Sequence, residues 1–339
     1  MKKQIQIKSQ RKLILILIST LVGLSILGML IGAFVDFQFS KLMVGNYDFT
    51  RTQGAKNLGF AWRFAMFPGV FSTVLFGFII CCLINFNPKY KSYNLRWKIV
   101  YLIFAYMFCF MLLLWQTYDG FIGQIYENYS IPNPNNGNGF WDLTKLLYAF
   151  IVALILIVIF TVLNVFVFSK CWANNVGTNV YKWSIFAFFA IILGCVVVQL
   201  MKLDIHRERF FQIMYTGNEE NFKPWYSLIW NMNVADDDIG TSAMTSFPSG
   251  HTTWAMTLVT LIPFLIVIVN VSNNRKRLIV ISSISSLIIA FVICTMFCRI
   301  ATGNHYLSDV CGAVLIQLAC YTFSYFLINK VGKLNTQIT

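Results

Sequence analysis

The sequence predicts an all-α protein, a polytopic bundle with about eight transmembrane helices. Three observations support this fold class. Of the 339 residues, 58% are hydrophobic, only 12% are charged, and the apolar residues fall into long runs. Soluble domains carry roughly 25% charged residues, so this chain has too little polar surface to cover a water-soluble globule. The composition also excludes a disordered chain, a coiled coil and a secreted disulfide scaffold.

Apolar segments that approach or reach the roughly 20 residues needed to span a membrane define the predicted helices. In order they are Leu13–Val35, Phe64–Ile84, Ile99–Trp115, Leu146–Phe168, Trp183–Met201, Thr252–Val269, Leu278–Phe297 and Tyr306–Ile328. The first is too long for the core of a signal peptide and lacks a small-residue cleavage site, so we expect it to remain as an anchor. The nine cysteines form no CxxC pair, and we interpret them as packing residues.

The distribution of charge predicts the orientation of the bundle. Eight spans place both termini on one side, and the loops of that side carry basic clusters such as Arg275, Lys276 and Arg277. All 13 acidic residues fall on the opposite side. Because Lys and Arg accumulate in cytoplasmic loops, we predict cytoplasmic termini in a plasma membrane. The net charge of +13 is spread over these clusters, which argues against a nucleic-acid-binding patch.

The long connections are all predicted on the outer side, and long loops often carry function. They are Asp36–Arg63, Gln116–Lys145 and Lys202–Gly250, and the last is hypothesised to cover a bound phosphate. The chain has three histidines, and all lie at outer ends of spans: His206, His251 and His305. Their common depth on one face suggests a single extracytoplasmic site.

The first polar cluster, Lys202 to Arg209, follows the fifth span. If the helix continues for two turns, these two cations lie on one face and can hold phosphate oxygens. Basic residues at span ends also commonly reach for lipid headgroups, so this cluster alone is weak evidence.

The second cluster is Phe247-Pro-Ser-Gly-His251, directly before the sixth span. Proline favours the first turn of a helix, and Gly250 allows a ligand to approach the backbone closely. The helix amino end, together with the Ser249 hydroxyl, is a suitable anion site that His251 would face. The alternative is an ordinary helix cap with an incidental histidine.

The third cluster runs from Arg299 to Asp309 between the last two spans. His305 and Asp309 are four residues apart and share one helical face. A carboxylate that accepts a hydrogen bond from one ring nitrogen makes the other nitrogen more nucleophilic. Arg299 adds a cation, and together the three clusters offer what metal-free phosphoryl transfer requires.

The motifs Lys-x6-Arg, Pro-Ser-Gly-His and Arg-x5-His-x3-Asp, in this order, resemble the type-2 phosphatidic acid phosphatase superfamily. This superfamily includes lipid phosphate phosphatases, undecaprenyl diphosphate and phosphatidylglycerophosphate phosphatases, glucose-6-phosphatases and vanadium haloperoxidases. Its membrane members have a six-helix core. The resemblance therefore implies a phosphatase core at residues 98–330 and a two-span N-terminal extension at residues 1–97.

The resemblance also implies residue roles. His305 attacks phosphorus and becomes a phosphohistidine, while Asp309 holds its ring. His251 protonates the leaving oxygen and then activates water. No metal and no cofactor are implied, and the resemblance assigns no role to His206, which we interpret as a supporting or incidental residue. The residues implied in binding the phosphate oxygens are Lys202, Arg209, Ser249, Gly250 and Arg299.

Two positions depart from the family pattern. Phe210 stands where proline usually follows Arg209, and Cys298 stands where serine usually precedes Arg299. We expect Phe210 to alter only the helix end. A thiol is a weaker donor than a hydroxyl, so Cys298 is expected to lower activity or shift the substrate.

The sequence thus predicts a membrane phosphatase acting on a lipid phosphomonoester or diphosphate, such as phosphatidic acid, phosphatidylglycerophosphate or polyprenyl diphosphate. Its predicted partners are the lipid substrate and the bilayer, with no nucleic acid, and the sequence leaves the oligomeric state open. Two alternatives are a phosphotransferase that passes the phosphoryl group to an alcohol, and a weakly active lipid-phosphate binding or transport protein.

Overall fold

The fold comes from a computed structural model that describes residues 2–45, 64, 67–88, 95–117, 143–173, 176–227, 244–269 and 274–336. Within these ranges the secondary structure is helical, apart from an isolated bridge between Arg207 and Thr245. The predicted all-α fold class is confirmed. Three long loops were predicted on the outer side, and most of their residues lie outside the described ranges. These include 228–243 of the Lys202–Gly250 connection, which was hypothesised to cover a bound phosphate.

The helices follow the predicted spans in chain order. They are α1 (Lys2–Val44), α2 (Phe67–Phe86), α3 (Leu95–Trp115), α4 (Leu143–Ala173), α5 (Gly177–Asp204), α6 (Phe210–Thr216), α7 (Gly250–Thr257), α8 (Leu261–Ile268), α9 (Asn274–Ala301) and α10 (Leu307–Thr336). Short 3-10 turns occupy Glu219–Asn221, Trp225–Ser227 and Leu258–Thr260.

Seven stretches among the described residues are long and apolar enough to cross a membrane. The predicted third span is a shorter apolar helix, Ile99–Trp115. Large apolar side chains such as Phe34, Leu163 and Leu287 point outward, as expected for helices in contact with lipid rather than water. The chain is therefore a multi-pass membrane protein.

The core lies where α10 packs between α1 and α5, and where α2 packs against α3, α5 and α7. All nine cysteines are free, and most are buried, which fits the packing role predicted for them. The predicted division at residues 97 and 98 stays a prediction. In the fold, α1 lies directly along α10 rather than apart from the helices that carry the motifs.

The sixth span is broken between α7 and α8 by the 3-10 turn Leu258–Thr260. Pro263 lies in the first turn of α8 and has no amide hydrogen to continue the ladder. The indole of Trp183 donates to the Thr260 carbonyl at 2.5 Å, and the Thr260 hydroxyl donates to the Thr257 carbonyl at 2.7 Å. These bonds satisfy backbone groups within the apolar interior.

Close packing of α5 on α10 leads to a stability prediction at Gly194. The Gln317 amide donates to the Ala190 carbonyl at 3.0 Å, and a Cβ at Gly194 would overlap Gln317 Oε1 and lie 2.5 Å from Cδ. Gly194→Ala is expected to lower the free energy of unfolding by about 1–3 kcal/mol through overpacking. Thermal unfolding in detergent measures this, with Gly23→Ala as control because Gly23 faces open space. Equal melting temperatures for the two variants would contradict the prediction.

Candidate active site

Backbone hydrogen bonds join the three predicted motif segments at one end of the bundle. Arg207 N donates to Met244 O at 2.9 Å, and Ser246 N donates to Arg207 O at 3.0 Å, which ties the first motif to the second. Ser249 N donates to Asp309 O at 3.1 Å and ties the second motif to the third. Helix ends that are far apart in the sequence therefore meet around one small region.

His305 lies at the centre of this region and is almost fully buried. Its Nδ1 is 2.6 Å from the Ser246 carbonyl oxygen. A carbonyl can only accept, so Nδ1 carries the proton and Nε2 keeps its lone pair. Burial lowers the pKa of His305 to about 3, and the charges of Arg299, Lys202 and Arg209 lower it as well. The imidazole is therefore neutral near pH 7 and suited to act as a nucleophile.

Asp309 differs from the prediction in its nearest partner. Its Oδ2 is 3.7 Å from His305 Nδ1, longer than a hydrogen bond, because the Ser246 carbonyl occupies that position. Asp309 Oδ1 accepts from Arg207 Nη1 at 2.5 Å. Its Oδ2 accepts from the Ser246 hydroxyl at 2.5 Å and from Tyr306 N at 2.8 Å. The Asp309 carboxylate thus acts on the His305 ring through its charge. It also binds the Ser246 hydroxyl, while the Ser246 carbonyl orients the ring directly.

Arg207 was not among the predicted site residues, and it is fully buried. Besides Asp309, its Nη2 donates to Asp36 at 2.9 Å and its Nε donates to the Lys223 carbonyl at 3.0 Å. The guanidinium lies 4.1 Å from the centre of the Tyr306 ring. The neighbouring carboxylates outweigh the cost of burial and raise the pKa of Arg207.

The three predicted cations lie near enough to the two histidines for their charges to act on both rings. Lys202 Nζ donates to the Thr245 carbonyl at 2.8 Å, and Arg209 Nη1 donates to Asn304 Oδ1 at 2.9 Å. Arg299 is buried in the last turn of α9. Their charges act on both His251 and His305, and His305 also acts on His251. The arrangement concentrates positive charge where His305 Nε2 would meet a phosphate.

The amino end of α7 contributes the second motif. Ser249 is the N-cap, and its Oγ accepts from Thr252 N at 3.4 Å and from Thr252 Oγ1 at 3.0 Å. Its own hydroxyl hydrogen can then be donated to an oxyanion. A Cβ at Gly250 would lie 3.7 Å from Lys202 Cε, so the backbone and this cation are close neighbours. His251 is half-buried, with its ring 4.8 Å from that of Trp254.

The two departures from the family pattern have different settings. Phe210 occupies the first position of α6, where proline is also tolerated, so the helix end is preserved. Its ring lies 5.3 Å from that of Phe37 in α1 and 6.3 Å from that of Tyr306. Cys298 is half-buried in α9 next to Arg299. His206 is half-buried and makes no hydrogen bond among the described residues.

Sequence reasoning missed Arg207, Ser246 and Asp36. Arg207 lies between Lys202 and Arg209, which together already satisfied the pattern of the first motif. Ser246 contributes a backbone carbonyl, and because every residue has one, the sequence gives no sign of this contact. Asp36 did carry a signal, because an acidic residue at the end of a long apolar run requires a buried partner or water.

Fold and site together define a class: a multi-pass membrane protein with a buried neutral histidine, a second histidine and several cations at the ends of its helices. The sequence model of the PAP2 superfamily matches residues 183–333. This match covers all three motifs, and the resemblance inferred from them is confirmed. The match supports a phosphatase-type activity on phosphate esters. No curated protein and no solved structure matches the chain significantly.

Proposed function

We propose that the protein hydrolyses a lipid phosphomonoester or diphosphate through a phosphohistidine. The observation that carries the proposal is the state of His305: it is neutral, its Nδ1 donates to the Ser246 carbonyl, and its Nε2 is left to attack. Nearby cations favour an anionic ester over a neutral one. This combination fits phosphoryl transfer better than ester or amide hydrolysis.

In the first half-reaction, the lone pair of His305 Nε2 forms a bond to phosphorus while the bond from phosphorus to the ester oxygen breaks. His251, protonated once the anionic substrate is bound, donates its proton to that oxygen, and the lipid alcohol leaves, or the lipid monophosphate when the substrate is a diphosphate. Lys202, Arg209 and Arg299, with Ser249 and the Gly250 amide, stabilise the charge on the non-bridging oxygens. His305 becomes cationic because Nδ1 keeps its proton, and Asp309 at 3.7 Å offsets that charge.

In the second half-reaction, His251 takes a proton from water as the water oxygen attacks phosphorus. The bond between His305 Nε2 and phosphorus breaks, its electron pair returns to the ring, and inorganic phosphate leaves. The ring returns to its neutral state with the proton still on Nδ1. His251 thus acts first as acid and then as base, as microscopic reversibility requires.

The lipid substrate and its side of the membrane are part of the proposal. The site lies at the ends of helices that are long and apolar enough to cross a membrane, and a lipid presents its headgroup near the ends of such helices. A lipid can enter sideways from the bilayer while its tail stays in the apolar phase. The basic clusters of the loops on the side of the termini support an extracytoplasmic site in the plasma membrane.

A substrate panel tests the proposal. Purified protein in detergent and EDTA is offered phosphatidic acid, phosphatidylglycerophosphate, a polyprenyl diphosphate and a water-soluble phosphomonoester. We expect phosphate release from at least one lipid, faster than from the soluble ester. Absence of release from every lipid would contradict the proposal. A new phospholipid in place of free phosphate, when an alcohol is supplied, would identify a transferase instead.

A further inference from the structure

A carboxylate from outside the region matched by the family model reaches the candidate site. Asp36 belongs to α1, whereas the match begins at residue 183. Its side chain is fully buried, and its three hydrogen-bonding contacts all come from the matched region. The apolar first span therefore supplies a charged group next to the residues that orient His305.

A close helix seam places Asp36 there. Gly28, Gly32 and Asp36 are spaced one turn apart on α1 and face α10. A Cβ at Gly28 would overlap Cys311 Sγ, and a Cβ at Gly32 would lie 3.1 Å from Ser308 Cβ. Small residues at this spacing allow two helix backbones to approach closely within a membrane. The seam fixes α1 at the distance from which Asp36 reaches the amino end of α10.

The contacts of Asp36 are those of an ionised carboxylate. Ser308 N donates to Asp36 Oδ1 at 3.0 Å, and the Ser308 hydroxyl donates to Oδ2. Arg207 Nη2 donates to Oδ2 at 2.9 Å in a fully buried ion pair. Asp36 therefore binds Arg207, the cation that pairs with Asp309. It also binds the backbone amide of Ser308, the residue directly before Asp309.

Arg207 is shared between two carboxylates. Its Nη1 lies 2.5 Å from Asp309 Oδ1 and its Nη2 lies 2.9 Å from Asp36 Oδ2. With Asp309 alone, the guanidinium would neutralise the charge that acts on His305. With Asp36 present, two carboxylates share one cation, and the group keeps one net negative charge in a low-dielectric interior.

We propose that Asp36 is a positioning residue for phosphoryl transfer: it pairs with Arg207, so that Asp309 keeps its negative charge toward His305 when that ring becomes cationic. The inference rests on the proposed function for the reaction itself. Asp36 touches neither substrate nor His305, and it acts through Arg207 and Ser308.

The first test compares Asp36→Asn with Glu219→Gln. Glu219 forms an exposed ion pair with Lys41 at 2.6 Å, so it also joins α1 to the segment after the first motif, but at the surface. Asp36→Asn is expected to lower kcat about 10- to 100-fold with KM within about threefold, because one charge near the reacting ring is lost. Glu219→Gln is expected to match the wild type. A kcat for Asp36→Asn equal to that of Glu219→Gln would overturn the proposal.

A double variant separates electrostatics from packing. In Asp36→Asn the single cation neutralises Asp309, whereas in Asp36→Asn with Arg207→Gln the Asp309 charge is restored. The double variant is therefore expected to have a higher kcat than Asp36→Asn alone. If Asp36 only holds the helices together, the second substitution would lower kcat further, and this result would refute the charge argument.

A binding measurement decides the proposal independently of turnover. Orthovanadate mimics the five-coordinate phosphorus bonded to His305 Nε2, whereas inorganic phosphate needs only the cations. We expect Asp36→Asn to lose most of the rise in melting temperature caused by orthovanadate but to keep the rise caused by phosphate. Equal losses, or none, would overturn the proposal. If both ligands raise the melting temperature of the wild type but it hydrolyses no lipid, the proposed function is contradicted and the positioning role of Asp36 is not.

The seam provides a further matched pair, Gly32→Ala and Gly23→Ala. A Cβ at Gly32 would lie 2.9 Å from Asp36 Oδ1, whereas Gly23 on the same helix has nothing within 4 Å. We expect Gly32→Ala to reduce kcat by displacing Asp36, and Gly23→Ala to leave kcat unchanged. Equal activity of the two variants would show that the approach of α1 to α10 does not matter for the reaction.

Discussion

His305→Ala is expected to lower phosphate release about 10⁴-fold or more, because the substitution removes the nucleophile rather than a group that assists it. His305 is buried and neutral, and alanine leaves no unpaired charge. The variant should therefore fold and still bind inorganic phosphate through the cations. Release of phosphate from the best substrate of the panel measures the effect, and thermal unfolding with phosphate confirms the fold.

His206→Ala is the matched control for His305. It removes another histidine of the same region, one that is half-buried and makes no hydrogen bond among the described residues. Its rate should stay within about twofold of the wild type. If His305→Ala retains a tenth of the wild-type rate, or if His206→Ala loses as much as His305→Ala, the assignment of the nucleophile is wrong.

Arg207→Met is expected to have the largest effect on stability. Arg207 is fully buried between Asp36 and Asp309, and methionine would leave both carboxylates without their cation. Removing one partner of a buried ion pair costs about 3–5 kcal/mol, and here two carboxylates depend on the same partner. We expect a large fall in melting temperature in detergent.

Lys41→Met is the control for the loss of a cation. Lys41 pairs with Glu219 at 2.6 Å, and about half of each side chain is exposed. Exposed pairs contribute about 0–1 kcal/mol, so the melting temperature should change by only a few degrees. Similar melting temperatures for Arg207→Met and Lys41→Met would show that the buried cation contributes little to stability.

The spans and the three motifs could be predicted from sequence because each depends on local information. Long apolar runs specify membrane helices, and the eight predicted spans correspond to α1 to α5, to α7 together with α8, to α9 and to α10. His251, His305 and Asp309 were recognisable because each stands within a short, characteristic pattern. Hydropathy predicted that the first span ends at Val35, one residue before Asp36, whereas the helix continues to Val44.

The partners of Asp309 could not be predicted in the same way. Asp309 was expected to hold His305, but its closest ion pair is with Arg207, whose place in the first motif had no assigned role. The acceptor for the His305 ring is a backbone carbonyl, which any residue at position 246 supplies. The spacing of Gly28 and Gly32 was a usable sign of close helix packing, and it points to the face that carries Asp36.

The pairing of Arg207 with Met244 and Ser246 has an evolutionary consequence. It fixes the carbonyl that orients His305 by bonds to the first and third motifs. Because backbone groups make the bond at Met244, the side chain at that position can change without displacing the nucleophile. The reaction chemistry can therefore be inherited unchanged while that side chain varies.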